Sequence, residues 1–105
     1  MIDPLTFHEK FSLKDFDFQY NLRVKRPDYE TTVIPNWVER SRVAREKLNT
    51  IVDQRYGEGE KQKLDVFRVK DPNAPTLVYF HGGYWQRGDK SIYSFLASPF
   101  NSEGV

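Results

Sequence analysis

Residues 76–80 have the sequence TLVYF, and residues 81–85 continue it with HGGYW. The first five are uncharged and do not alternate with polar residues, which predicts a strand covered on both faces, as parallel strands of α/β proteins are. The adjacent Gly82 and Gly83 allow a sharp turn that directs backbone N–H groups outward. Outward N–H groups can hold the oxyanion of an acyl-transfer reaction. The alternative is a tight turn without chemistry, but the preceding strand, His81 and the following aromatic residues favour an oxyanion loop.

The segment before this strand predicts a helix and an edge strand. Asn36 is a suitable N-cap, Glu39 completes a pair resembling a capping box, and Gly57 is a natural stop. Residues 64–69 mix apolar and charged side chains, as a strand near a sheet edge does. The apolar or small residues at helical spacing are Trp37, Ser41, Ala44, Leu48, Ile51 and Val52.

The segment after the glycine pair predicts a second helix over residues 90–101, capped by Asp89. Val105 is then expected to begin another strand, the parallel neighbour that a strand–helix unit requires. The buried stripe of this helix is predicted to contain Ile92, Phe95, Leu96 and Phe100.

The first third of the chain gives weaker signals. Residues 1–34 are rich in aromatic side chains set among charges, which predicts an irregular N-terminal segment lying across a larger body. Within it, the spacing of Phe16, Phe18 and Tyr20 fits a strand or a short helix. Residues 35–105 are expected to form the helix, two strands, loop and second helix of one domain portion spanning residues 1–105.

Composition excludes several classes of function. The formal net charge of +1 provides no excess of basic residues for nucleic acid. The chain has no cysteine and two unpaired histidines, which makes a metal or cofactor site unexpected. No signal peptide and no stretch long enough to cross a bilayer is present, so we expect a soluble, cytoplasmic protein without membrane partners.

The loop at residues 81–84 resembles the His-Gly-Gly-x oxyanion loop of α/β-hydrolases of the esterase and lipase type. With Trp85 and the sequence Asp-Lys-Ser at residues 89–91, it is similar to the kynurenine formamidase (arylformamidase) branch. The resemblance runs from about Tyr20 to Val105 and includes the upstream stretches QYN at 19–21, PDY at 27–29 and RYG at 55–57.

This resemblance implies the N-terminal part of an α/β-hydrolase fold, with an incomplete, mostly parallel sheet flanked by helices. It implies a serine hydrolase of tryptophan catabolism that cleaves N-formylkynurenine or a related aryl formamide or ester. The N–H groups of Gly83 and Tyr84 would form much of the oxyanion hole, and Gly82 would shape the turn. His81 would support the loop rather than act as the base, and Tyr84 and Trp85 would wall the substrate pocket. A homodimer of the full-length protein is compatible with the resemblance.

The nucleophile elbow Gly-x-Ser-x-Gly is absent from these residues, although it follows the oxyanion loop in α/β-hydrolases. We therefore expect the nucleophile, acid and base beyond Val105, and the 105-residue chain alone to be inactive and poorly folded. Two other functions remain open, namely a general carboxylesterase or lipase-like hydrolase and a non-catalytic truncated product. His8 is expected to be an ordinary surface residue, and Asp89 a helix cap rather than a triad acid.

Overall fold

The structure is a computed structural model, and it describes residues 12–83 and 86–105. The chain divides into two compact units, one ending at Val33 and the other comprising Ile34–Val105. In the first unit lie α1 (Leu13–Tyr20), α2 (Leu22–Lys25) and a π-helical turn (Tyr29–Val33). In the second lie α3 (Ile34–Lys47), β1 (Asn49–Arg55), β2 (Lys63–Arg68), a 3-10 helix (Lys90–Leu96) and α4 (Ala97–Ser102).

Helix α1 begins at a capping box. The Asp15 N–H donates to the Ser12 hydroxyl at 3.2 Å, and the Ser12 N–H donates to the Asp15 carboxylate at 2.7 Å. These two bonds satisfy amide groups that a helix start leaves unpaired. Phe16, Phe18 and Tyr20 are thus in a helix, the second of the two alternatives, and much of the described part of residues 1–34 is helical rather than irregular.

Helix α3 begins earlier and ends earlier than the sequence pattern predicts. It starts at Ile34, so Asn36 is inside the helix and the predicted N-cap is wrong. Pro35 fits the first turn, where no intrahelical partner exists for its missing N–H. The helix stops at Lys47, so Gly57 does not terminate it.

Residues 49–68 form an antiparallel hairpin, and the extension of the predicted helix over Ile51 and Val52 is wrong. Strands β1 and β2 pair with Ile51 opposite Val66, and the register shifts between Ile51 and Gln54. β-branched residues suit a strand, and once β2 is available for pairing this preference overrides the helical spacing. The predicted strand at 64–69 is confirmed, one residue displaced.

Residues 76–80 belong to no strand in the part of the chain that the structure describes. Their apolar side chains are exposed, with Val78 at 67% and Phe80 at 87%. The two-stranded sheet of the described residues is antiparallel, and it does not contain this segment. A covered strand here therefore stays a prediction about a larger sheet.

The second predicted helix is confirmed in position and cap. The Asp89 carboxylate accepts the Ser91 N–H at 3.0 Å, and the backbone continues as a 3-10 helix and then as α4. The predicted stripe is only partly covered, because Phe100 is 46% exposed. Val105 follows a helix end marked by a positive φ of 83° at Gly104, and it is in no strand of the described structure.

The core of the second unit lies where α3 meets the 3-10 helix, and it is built from small residues. Ser41, Ala44 and Ser94 are buried, and the Ser41 hydroxyl accepts the Phe95 N–H at 3.1 Å. Arg45 donates to the Ser91 carbonyl and, at 2.9 Å, to the Ser94 hydroxyl. Small side chains let the two helices approach closely enough for backbone and hydroxyl groups to bond directly.

Within residues 12–83 and 86–105, no helix is both long enough and apolar enough to cross a membrane.

Replacing Ser41 tests this contact. We expect Ser41→Ala to lower the free energy of unfolding by about 1–3 kcal/mol, because the amide of Phe95 loses a buried acceptor. Urea unfolding of the polypeptide from the complete reading frame, followed by tryptophan fluorescence, measures the loss. The control is Ser98→Ala on the exposed side of α4, expected within about 0.5 kcal/mol of the unmodified chain. Equal effects of the two substitutions would show that the Ser41 bond contributes nothing.

Candidate functional site

The glycine pair forms a tight turn whose geometry depends on Gly83. The Gly83 carbonyl accepts the N–H groups of Gln86 and Arg87, both at 3.0 Å. Its φ is 130°, a conformation that residues with a Cβ rarely adopt, and a Cβ there would lie 1.9 Å from the Arg87 carbonyl oxygen. Gly82 differs, because a Cβ on it would meet nothing within 4 Å. Position 83 therefore requires glycine, and position 82 does not require it for steric reasons.

The N–H groups of the turn are the chemically relevant feature. Within residues 12–83 and 86–105, no acceptor is found for the N–H of Gly82 or Gly83. An N–H without an internal acceptor can donate to a ligand oxygen. Tyr84 and Trp85, which the sequence also assigns to this site, lie outside the described residues, as does His8.

His81 is held at the base of the turn by a hydrogen bond and a ring stack. Its Nδ1 lies 2.7 Å from the Gly82 carbonyl oxygen, and a carbonyl oxygen can only accept, so Nδ1 carries the proton. The imidazole stacks on the ring of Tyr93 with centroids 5.2 Å apart and planes 6° apart. The bond and the stack together fix the ring relative to the loop and to the 3-10 helix.

Behind Tyr93 the aromatic contacts continue to helix α3. Trp37 lies 5.8 Å from the Tyr93 ring and 5.7 Å from the Phe95 ring, both in tilted orientations. The guanidinium of Arg40 lies over Phe95 at 4.6 Å, within the range of a cation–π contact. This array connects the imidazole of the loop to α3 through side chains alone.

The loop ends at Asp89 and Lys90, and both residues are engaged. The hydrogen bonds from Ser91 hold the pKa of the Asp89 carboxyl below its ordinary value. Lys90 Nζ lies 2.7 Å from carboxylate oxygens of both Asp53 and Asp65. Burial lowers the pKa of Lys90, but hydrogen bonds and charge attraction from the two aspartates outweigh it and raise the pKa overall. Lys90 is therefore held in its charged form.

Two grooves in the second unit lie away from the loop. A groove of about 430 Å³ is lined by residues of α3 together with Phe95 and Ser98. Another, of about 650 Å³, lies between the end of α3, the end of β2 and the end of α4. Neither is lined by His81, Gly82 or Gly83, so these grooves do not provide the loop with a substrate pocket. Within the described residues, no group of three or more acidic, histidine or cysteine side chains could hold a metal ion.

The residue pattern predicts the turn and its histidine but not the residues that fasten them. It places Trp37 on a helix and extends that helix over Asp53, and it assigns no role to Tyr93 or Lys90. A lysine directly after a helix cap is a weak signal, because its partners lie 25 and 37 positions earlier in the chain.

Alanine substitutions at the two glycines form a matched pair. We expect Gly83→Ala to open the turn and speed amide hydrogen exchange at Gln86 and Arg87 by at least about tenfold, because the new Cβ would overlap the Arg87 carbonyl. Gly82→Ala adds the same methyl group into open space and should change these rates little. Similar exchange in both variants would contradict the assigned turn.

Acid pH should weaken the cap of the 3-10 helix. The folded pKa of Asp89 is lowered, so its stabilising contribution is present above the unfolded pKa and is lost as pH falls through the folded pKa. The measurement is the stability difference between the unmodified chain and Asp89→Ala, which should shrink over that acid range. Asp89→Asn is the control, because it keeps a capping oxygen that does not titrate in this range. A difference that stays constant down to full protonation would count against the cap.

Comparison with known proteins points to one enzyme name. No protein-family model and no solved structure matches the chain. Kynurenine formamidase of Danio rerio is 44% identical over 64 residues, which are 59% of this chain and 22% of that protein. Kynurenine formamidase of Salmo salar is 34% identical over 89 residues (83% and 30%), and that of Drosophila melanogaster 37% over 86 residues (75% and 28%). The chain thus spans less than a third of these curated relatives, and its similarity to them supports the kynurenine formamidase family.

Proposed function

We propose that this chain supplies the oxyanion loop of a serine hydrolase of the kynurenine formamidase type, within an α/β-hydrolase fold. The observation that carries the proposal is the Gly83 turn, in which the N–H groups of Gly82 and Gly83 have no acceptor among the described residues, in a chain similar to three kynurenine formamidases. The substrate is N-formylkynurenine or a related aryl formamide or ester.

The chemistry requires stabilisation of negative charge on oxygen. When a serine hydroxyl attacks the formamide carbonyl, the carbonyl oxygen becomes an oxyanion in the tetrahedral intermediate. In the proposal, the N–H groups of Gly83 and Tyr84 donate to that oxygen, and each donor is worth about 3 kcal/mol. Collapse of the intermediate expels the aryl amine and leaves a formyl ester, which water hydrolyses to formate.

His81 has a supporting role in this mechanism. Its Nδ1 proton is bonded to the Gly82 carbonyl at 2.7 Å, and the opposite nitrogen has no serine or carboxylate partner among the described residues. A triad base needs an orienting acid at one nitrogen and the nucleophile at the other. The geometry supports assigning His81 to the loop and assigning the base to polypeptide outside these residues.

The nucleophile must also come from outside the 105 residues. None of the six serines lies in a Gly-x-Ser-x-Gly sequence. Ser41 and Ser94 are buried in the contact between α3 and the 3-10 helix, where they bond to Phe95 and Arg45. The 105-residue chain by itself is therefore proposed to be inactive.

The test measures hydrolysis of N-formylkynurenine and of p-nitrophenyl acetate, by the polypeptide from the complete reading frame and by the 105-residue chain. The polypeptide from the complete reading frame should hydrolyse N-formylkynurenine with saturation, and Gly83→Ala should reduce kcat by at least about a hundredfold, because the turn positions the oxyanion donors. Gly82→Ala serves as the steric control and should retain most of that activity. The 105-residue chain should show no saturable hydrolysis.

Three outcomes would contradict the proposal. Hydrolysis of p-nitrophenyl acetate without hydrolysis of the formamide would indicate a general carboxylesterase. Hydrolysis of neither substrate would favour a non-catalytic product. Saturable hydrolysis by the 105 residues alone would place the nucleophile inside them and overturn the mechanism.

A further inference from the structure

Lys90 joins the end of the glycine loop to the β-hairpin. Its Nζ lies 2.7 Å from Asp53 Oδ1 and 2.7 Å from Asp65 Oδ1. The Asp65 side chain is only 6% exposed and that of Lys90 28% exposed, so water screens the Lys90–Asp65 pair less than it screens a surface pair. The Asp53 side chain is 59% exposed, so its pair with Lys90 is screened more. We name Asp53, Asp65 and Lys90 the bulge clamp.

The clamp is built on an unusual point of the hairpin. Asp53 lies in the register shift of β1 and has a φ of 57°, the left-handed region that few residues other than glycine adopt. Its N–H donates to Asp65 Oδ1 at 2.9 Å, the same oxygen that contacts Lys90. The bulge therefore directs the Asp53 N–H to the Asp65 carboxylate, and the ammonium of Lys90 bridges that carboxylate and the Asp53 side chain.

Lys90 is connected to the glycine turn through residues 88 and 89. Lys90 directly follows Asp89 and Gly88, and Gly88 has a φ of 86°. A Cβ on Gly88 would lie 3.4 Å from His81 Nδ1 and 3.6 Å from the Gly82 carbonyl oxygen. The end of the loop thus packs against its beginning, and whatever holds residues 88–90 also sets where His81 and Gly82 lie.

We propose that Lys90 is a positioning residue, which holds the oxyanion loop in its reactive geometry by bridging Asp53 and Asp65 of the hairpin. The inference rests on the proposed function of residues 81–84 and adds a residue that acts through them. The bridge requires a cationic rather than a neutral side chain at this position. The two carboxylates would repel each other without a cation between them.

A merely structural ion pair would predict something different. It would contribute to overall stability, and its loss would raise exchange across the whole hairpin and helix α3 in proportion. A positioning role predicts a local effect, confined to the loop amides and to the reaction step. The test therefore needs readouts from the loop, from the rest of the fold and from catalysis.

The test uses the polypeptide of the complete reading frame and the variants Lys90→Gln and Lys90→Arg. In Lys90→Gln, exchange of the Gln86 and Arg87 amides should accelerate on the order of tenfold, and kcat for N-formylkynurenine should fall about tenfold or more with KM nearly unchanged, since small misplacements of catalytic groups cost this much. Lys90→Arg should retain most of the exchange protection of the loop amides and most of kcat, because its guanidinium can bridge two carboxylates. Lys70→Gln is the matched control, because it removes the same charge from an exposed residue that directly precedes the 71–75 turn.

A gentler variant keeps the inference testable if Lys90→Gln does not fold. Asp53→Asn retains the bulge, since asparagine tolerates a positive φ, but removes one charge from the clamp. It should accelerate exchange of the Gln86 and Arg87 amides and lower kcat, in both cases by less than Lys90→Gln does. Unchanged loop exchange in a folded Lys90→Gln or Asp53→Asn variant would overturn the inference, as would an equal rise in exchange across β1, β2 and α3.

The outcomes separate this inference from the proposed function. If the unmodified polypeptide hydrolyses no formamide but Lys90→Gln still frees the loop amides selectively, the function fails and the clamp as a loop anchor stands. If the unmodified polypeptide is active and Lys90→Gln has unchanged kcat and loop exchange, the function stands and the positioning role fails.

Discussion

The contact between α3 and the 3-10 helix is the interaction on which the site depends. Small residues are buried in it and hydrogen bonds cross it, because Ser41 accepts the Phe95 N–H and Arg45 donates to Ser94. With such small side chains the helices approach closely, and the hydrogen bonds fix their relative position more specifically than apolar packing would. The 3-10 helix starts at Lys90, so this contact also fixes the place where the glycine loop ends.

Two sets of side-chain contacts of different chemistry connect this contact with the loop and its surroundings. One is aromatic, through Trp37 and Tyr93 to the imidazole of His81. The other is ionic, through Lys90 to the aspartates of the hairpin. Aromatic stacking is insensitive to salt, and a partly buried ion pair is only moderately sensitive to it. The two sets of contacts meet where Gly88 packs near His81.

Local signals in the sequence were sufficient for some elements and misleading for others. The cap at Asp89 and the strand at β2 were predictable, because each depends on a few adjacent residues. The end of helix α3 was not predictable, since Ile51 and Val52 fit helical spacing and only the pairing of β1 with β2 places them in a strand. Of the site, the glycine turn and His81 could be predicted from residue types. The partners of Lys90 could not, because a bulge brings Asp53 and Asp65 to it from distant positions.

The two ends of the loop differ in how they are held, and this difference bears on the chemistry. Residues 88–90 are fastened to the hairpin, whereas residues 77–80 expose apolar side chains and pair with no strand in the described structure. Exposed apolar surface of this kind is stabilised when another surface covers it. Oxyanion donors must be held within a fraction of an ångström to lower a barrier. The beginning of the loop is held by ring contacts of Tyr79 and His81 with Tyr93, and whatever covers residues 77–80 would restrain it further. If the proposed function holds, covering residues 77–80 and forming the oxyanion hole would be one event, to which the bulge clamp contributes from the other end of the loop.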